Sequence, residues 1–327
     1  MTFFATRFDF RAPGATPAAR GELFARSVEQ AEYLDTHGQD ALMLSEHHGS
    51  PDGYLPSPML VASAFAARTS RIAITVSALV ANLYDPLRLA EEIAVLDHLS
   101  GGRVSYTLGL GYLPHEYAQL GRPWGSRGAD IERLIGVLRA AWSGEPFEFE
   151  GRTVQVTPAP LSKPHPMLFY GGGSRAAALR AARLDLGFQP QVADTALRDL
   201  YESECRAHGR EPGFVMMPPP GPSTVFCTED PDRFWHHYGS YLLADAQAYE
   251  AWHGDHASHV RDSSTTVDEL RSGTGYLVCT PDDLVEKCRS REVRLVTSHP
   301  LCGGMPEQPS WDSVHLIGEN VLPALRN

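Results

Sequence analysis

Short runs of β-branched and aromatic residues alternate with longer stretches of helical period along nearly the whole of this chain. Residues 3–10 read as a strand. Residues 21–37 carry Leu23, Val28, Ala31, Tyr33 and Leu34 on one broad face, as an amphipathic helix does, and Gly38 ends it. A short strand at 41–45 is followed by a polar loop, an Ala-rich helix at 57–68, and a strand at 72–80 that is apolar almost throughout, as buried parallel strands are. The third helix is the best marked. Asp85 suits the N-cap and Pro86 the first turn, Leu89, Ile93, Leu96 and Leu99 form its apolar face, and Gly101-Gly102 suits a left-handed C-terminal cap. The pattern continues as strand 103–111, helix 130–142, a hairpin-like pair at 147–149 and 152–156, strand 167–170, helix 174–184, strand 186–189 and helix 195–208. Strand-like runs at 214–217 and 223–227 then bracket a Pro-rich bend. Helix 230–252, a polar, loop-rich stretch at 253–272, helix 281–291, strand 293–298 and a closing helix at 311–325 complete it.

Repeated strand–helix units imply a parallel sheet. About eight units over 327 residues predict a closed (β/α)8 TIM barrel with insertions, in a single domain over 1–327, rather than an open doubly wound sheet. No Gly-x-Gly-x-x-Gly follows the first strand, which argues against a Rossmann unit. The excess over a minimal barrel of roughly 250 residues falls near 112–126, 145–165 and 245–275, and the acidic residues from Asp245 to Asp262 read as a solvated insertion, placed where a lid could lie.

The formal charge is −12 and the basic residues form no runs, so nucleic acid is not an expected partner. No apolar stretch approaches the roughly 20 residues that span a bilayer, and the first residues lack the pattern of a signal peptide. The five cysteines, at 205, 227, 279, 288 and 302, have neither disulfide nor zinc spacing. Reduced thiols, no resident metal and a cytoplasmic location are the expectation. The tryptophans at 124, 142, 235, 252 and 311 read as packing residues.

Barrels of this kind carry their chemistry at the C-terminal strand ends. After the second strand comes Glu46-His47-His48, an imidazole beside a carboxylate, suited to acid–base work near neutral pH or, as the lesser reading, to a metal. After the third comes Ser77-Ala78, and after the fourth Gly109-Leu110-Gly111-Tyr112. Gly171-Gly172-Gly173-Ser174 joins a strand to a helix and leads to Arg175, a phosphate site in outline or a purely structural turn. The last strand leads to His299-Pro300-Leu301-Cys302-Gly303-Gly304, where His299 and Cys302, with His48, are candidates for the substrate pocket.

In order and spacing, Glu46-His47-His48, the run from Asp85 to Glu91, Leu96 to Arg103, Gly109 to Tyr112 with Glu116-Tyr117 and Gly121, the Phe149-Glu150-Gly151 hairpin, Gly171–Ser174 and His299–Gly304 resemble the bacterial-luciferase-like monooxygenases across almost the whole chain. The resemblance implies reduced FMN, delivered by a separate flavin reductase, or the deazaflavin coenzyme F-420, held at the barrel mouth. It implies His47 as catalytic base, with Glu46 beside it, and cofactor contacts from Ser77, Ala78, Leu110, Tyr112, Gly171, Gly172, Gly173, Ser174 and Arg175. It further implies a non-prolyl cis peptide at Ser77-Ala78 behind the flavin ring, and pairing through the second and third helices as a homodimer or a heterodimer with a paralogue. Three functions follow: a two-component monooxygenase acting on a small organic substrate, a deazaflavin-dependent dehydrogenase or reductase, or a non-catalytic flavin-binding partner subunit. Two positions depart from the pattern: Leu110 stands where the luciferase α chain has a phosphate-binding Arg, and Leu186-Gly187 where Asp-Gly is usual.

Overall fold

The computed structural model describes residues 2–218, 220–253 and 258–326. Its strands are β1 (Phe3–Phe8), β2 (Ala41–Leu44), β3 (Ala73–Leu79), β4 (Val104–Leu108), β5 (Phe147–Phe149), β6 (Arg152–Val154), β7 (Met167–Gly171), β8 (Gly187–Gln189), β9 (Thr224–Cys227), β10 (Tyr276–Cys279) and β11 (Leu295–Ser298). Between them run α1 (Pro17–Thr36), α2 (Pro58–Arg68), α3 (Pro86–Ser100), α4 (Pro114–Gln119), α5 (Arg127–Trp142), α6 (Arg175–Arg183), α7 (Thr195–Ala207), α8 (Pro231–His253), α9 (Val267–Ser272) and α10 (Pro281–Arg289), and α11 (Glu307–Leu316) and α12 (Leu322–Arg326) close the chain.

The fold is the expected barrel with one strand more than eight among the described residues. Nine strands form a parallel ladder in the order β10-β9-β11-β1-β2-β3-β4-β7-β8. Val215 adds a single parallel bridge to Phe188 at the β8 edge, where a strand at 214–217 is expected. Just after β8, His259 N–H donates to Gln191 O at 3.1 Å. The additional strand is β10, which pairs in register with all four residues of β9. Its four residues are apolar without alternation, so it has no period to read. β5 and β6 form the separate antiparallel hairpin.

Helix starts differ from the expectation for a related reason. α1 begins at Pro17, where the Thr16 hydroxyl accepts the Ala19 N–H, ahead of the first apolar-periodic residue. α9 arises in the stretch expected to be loop, from a capping box between Thr266 and Glu269; residues 254–257 of that stretch lie outside the described residues. The closing segment starts earlier than expected, at Glu307, and contains a π-helical turn at Ile317–Val321. The caps of α3 are as expected: Asp85 accepts the N–H groups of Leu87 and Arg88, and Gly101 is left-handed at φ 64°.

The largest apolar cluster joins β1 to β4 with the inner faces of α1, α2, α3 and α5. It fixes the strands so that the loops after β1, β2, β3, β4, β7 and β11 emerge at one mouth. Among the described residues no helix is long and apolar enough to cross a membrane.

Candidate active site

His47 leaves β2 at that mouth and is almost fully buried, at 7% exposure. Its Nδ1 lies 2.9 Å from Glu116 Oε1, and the same oxygen accepts the His48 backbone N–H at 2.8 Å. Burial works against ionisation of Glu116, but the His47 contact and the His48 N–H outweigh it and hold the carboxyl below its usual range. An ionised carboxylate only accepts, so Nδ1 carries a proton, and in the neutral imidazole Nε2 is then the nitrogen with the lone pair. Tyr112 O–H, from the loop after β4, lies 3.1 Å from that Nε2 and donates to it. Burial, then the neighbouring Tyr54, keep the Tyr112 phenol protonated well above its ordinary range. The imidazole is boxed by the rings of Tyr54, Tyr112 and Trp252, with centroids at 4.9, 5.3 and 4.4 Å.

Glu46 is next to His47 in the chain but contacts its other neighbour. Its Oε1 accepts from His48 Nε2 and Tyr84 O–H, each at 2.8 Å, and its Oε2 from Val80 N–H at 2.6 Å. The carboxylate that orients His47 is thus Glu116, which the sequence reading placed in a motif without giving it a role. Burial lowers the His48 pKa, but the bond and charge of Glu46, then the charge of Glu116, raise it further and leave it above the ordinary value.

The floor is built from β3, β4 and β8. The Ser77–Ala78 peptide is cis. A Cβ on Gly109 would stand 3.0 Å from Ala78 Cβ, so glycine lets the β4 loop run close against that peptide. Gln189 Oε1 accepts from Ser77 Oγ at 3.0 Å and also from Thr107 Oγ1, tying the three strands together below the mouth. Leu110 is half-buried and its carbonyl accepts the Tyr117 hydroxyl at 2.5 Å.

The glycine turn at 171–174 opens α6. Gly172 adopts φ +148°, where a Cβ would come within 2.8 Å of Ala177 Cβ, and its N–H is taken by Gln189 O at 3.3 Å. Ser174 caps α6 by accepting the Ala177 N–H at 3.2 Å. Gly173, Ser174 and Arg175 are exposed, and among the described residues Arg175 is in no ion pair. An exposed helix N-terminus beside an unpaired guanidinium suits an incoming phosphate.

α8 lies over the inner end of the mouth. Asp245, expected in a solvated insertion, is buried, because Asp245, Tyr249 and Trp252 share the inward face of α8. Arg7 Nη2 reaches Asp245 Oδ2 at 3.3 Å and His299 Nδ1 at 2.9 Å. His299 Nε2 lies 3.1 Å from Asp9 Oδ1. Arg11 pairs with Asp52 at 2.6 Å and stacks under Trp252 at 3.9 Å. His299 and Cys302 are both fully buried in this network rather than on an open wall. Ligand atoms of Asp245, His299 and Cys302 lie within 4.8 Å of one another, and Arg7 Nη2 already contacts two of the three residues.

A family model described as luciferase-like monooxygenase matches residues 2–297. The FMNH2-dependent dimethylsulfone monooxygenase of Pseudomonas putida is 30% identical over 132 residues, 38% of this chain and 36% of that protein. The stretches matched span about half the length, or less, of the curated relatives. Among solved structures, the monooxygenase RslO1 of Streptomyces bottropensis superposes with a TM-score of 0.73 at 23% identity, over 98% of this chain and 99% of its own. An F-420-dependent secondary alcohol dehydrogenase does so at 0.69 and 15% identity, over 100% and 99%. At these identities the structural likeness speaks for the fold.

Proposed function

Because this chain belongs to the luciferase-like monooxygenase family, we propose that it is a flavin-dependent oxidoreductase, a two-component monooxygenase that takes reduced FMN from a separate flavin reductase and acts on a small organic substrate. The observation that carries this reading is His47, held at the barrel mouth with Nδ1–H on Glu116 and Nε2 facing Tyr112. A base needs a fixed far nitrogen and a lone pair that can reach the reacting centre; Glu116 favours the first, and the Tyr112 hydroxyl marks the Nε2 direction from which a proton would be passed. Bound reduced flavin would supply the electrons and the capacity to activate oxygen. The chain's own part is to bind the phosphate at Gly173, Ser174 and Arg175, to present the ring edge to Ser77, Ala78 and Tyr112, and to move a proton at His47 Nε2. Tyr54, Tyr249 and Trp252 keep water from that atom. Glu46 and His48 position the loop that carries His47. We read 1–327 as one barrel domain, cytoplasmic, and paired through α2 and α3.

The deazaflavin alternative rests on Leu110, where no arginine is present to hold an FMN phosphate. Anaerobic fluorescence titration of the full chain with reduced FMN and with reduced F-420 tests the choice. Saturable binding of reduced FMN, followed by substrate-dependent oxygen uptake on aeration, is the expected result. Saturation by F-420 alone replaces the monooxygenase with hydride transfer, and binding without uptake on any substrate panel supports the partner-subunit reading.

A further inference from the structure

A cleft of about 330 Å³ lies behind the His47 loop, between the segment after β1, the start of α1 and the segment after β2. Its walls are Phe10, Leu23, Phe24, Tyr54 and Pro56, and its one charged lining residue is Arg20. That size falls at the lower end of small-molecule pockets, roughly 300–1,000 Å³. Three features mark it as more than a surface crevice. Phe10 sits at φ +64°, a conformation that L residues with bulky side chains rarely adopt, and its ring stacks on Phe24 at 4.4 Å and 17°. Phe24, on the outer face of a helix, is 40% exposed. The chain carries 40 acidic residues, yet none lines the cleft. Arg20 is positioned by two backbone carbonyls, Asp52 O at 2.9 Å and Ala12 O at 3.2 Å, which leaves its charge unneutralised by these contacts. Tyr54 lines the cleft, and its ring also meets His47 edge-on.

We propose that this cleft binds a small apolar carboxylate, with its aryl or alkyl body between the Phe10–Phe24 stack and Tyr54 and its carboxylate on Arg20. The cleft contains neither His47 nor Tyr112, and Tyr54, which lines it, also packs against His47; the ligand is therefore bound beside the reacting centre, as an auxiliary ligand separate from the substrate of the proposed reaction. A charge-assisted guanidinium–carboxylate contact gives the orientation, and the stacked rings give the affinity.

Calorimetric titration of the full chain with 2-naphthoate, and with uncharged 2-naphthamide, tests it. One saturable naphthoate site is expected. Arg20→Gln should weaken naphthoate about tenfold, the size of a lost charge-assisted hydrogen bond, and leave naphthamide unchanged. Leu23→Trp, which fills the cleft, should abolish both while reduced FMN still binds. If that variant does not fold, Phe24→Ala, which removes a wall at an exposed position, should weaken both ligands instead. Equal naphthoate affinity in the wild type, Arg20→Gln and whichever wall variant folds, or no saturable site in the wild type, overturns the proposal. Loss of FMN binding from the wild type would instead sink the flavin reading and leave the cleft result standing.

Discussion

A neutral imidazole presents its lone pair in one direction only while something fixes which nitrogen holds the proton. Glu116 does this for His47 from 69 residues away in the chain, and Glu46, the immediate neighbour, does not. The candidate base was legible in the sequence because it follows a strand at a barrel mouth; its partner was not, because α4 brings Glu116 to it through a loop whose path no period encodes. Replacing His47 with Ala should lower turnover by about 10²–10⁴-fold, with flavin affinity kept in the same titration. Glu116→Gln keeps the shape but removes the charge that favours Nδ1–H. A loss of at least about tenfold is expected, as for other orienting partners, together with a displaced pH–rate profile, which a purely structural role would not give. An unchanged profile counts against Glu116 as the positioning residue. His48 gives a stability test of opposite kind. Its pKa is raised above 6.5 through Glu46 and Glu116, despite burial. The stabilisation is therefore complete below pH 6.5 and is lost as pH rises through the folded-state value. The melting temperature should fall across that alkaline interval in the wild type and stay flatter in His48→Gln; parallel curves would show that the pair contributes nothing.

The junction of β7 and α6 illustrates what a local pattern can and cannot say. Strand, glycines, Ser and Arg in succession allowed either an anion site or a purely structural turn, and the structure has an exposed helix N-terminus there with Ser174 already capping it. What the pattern did not contain is that Gly172 N–H is turned to Gln189 O, which leaves the later amides and Arg175 for a phosphate. Arg175→Ala should therefore weaken reduced FMN about 10–100-fold, from lost charge-assisted bonds, without changing the melting temperature, since the side chain is exposed and unpaired among the described residues. Ser174→Ala should in addition cost about 1 kcal/mol of stability as a lost N-cap. Equal FMN affinity in the double variant and the wild type places the phosphate elsewhere. α8 is the converse case. Its helical period was readable, and the 4- and 3-residue steps from Asp245 to Tyr249 to Trp252 put them on one face. Nothing in the chain said that this face turns inward onto Arg7, Arg11 and His47.

The parallel strand–helix barrel was legible because it needs only the count and order of strand–helix units, whereas β10 and α9 went unread because four apolar residues or one capped turn carry no period. Association of whole chains is a matter of what the outer helices leave uncovered. A barrel buries the inner faces of α2 and α3, yet Leu60 on α2 and Val95 and Leu99 on α3 remain 74%, 46% and 55% exposed. Covering a Leu side chain is worth about 1.5–3 kcal/mol, and in a two-fold dimer each such residue is buried twice. With a charge of −12 the chains repel one another in general, so association requires an apolar patch that outweighs this. Leu60→Asp with Leu99→Asp removes apolar area and adds charge at those helices. Because both side chains are exposed in the single chain, its folding stability should change by no more than about 0.5 kcal/mol each. Sedimentation velocity should then show the wild type as a dimer and the double variant as a monomer with an unchanged melting curve. A wild type that sediments as a monomer both alone and with a paralogous chain, or a double variant that stays dimeric, removes α2 and α3 as the pairing surface.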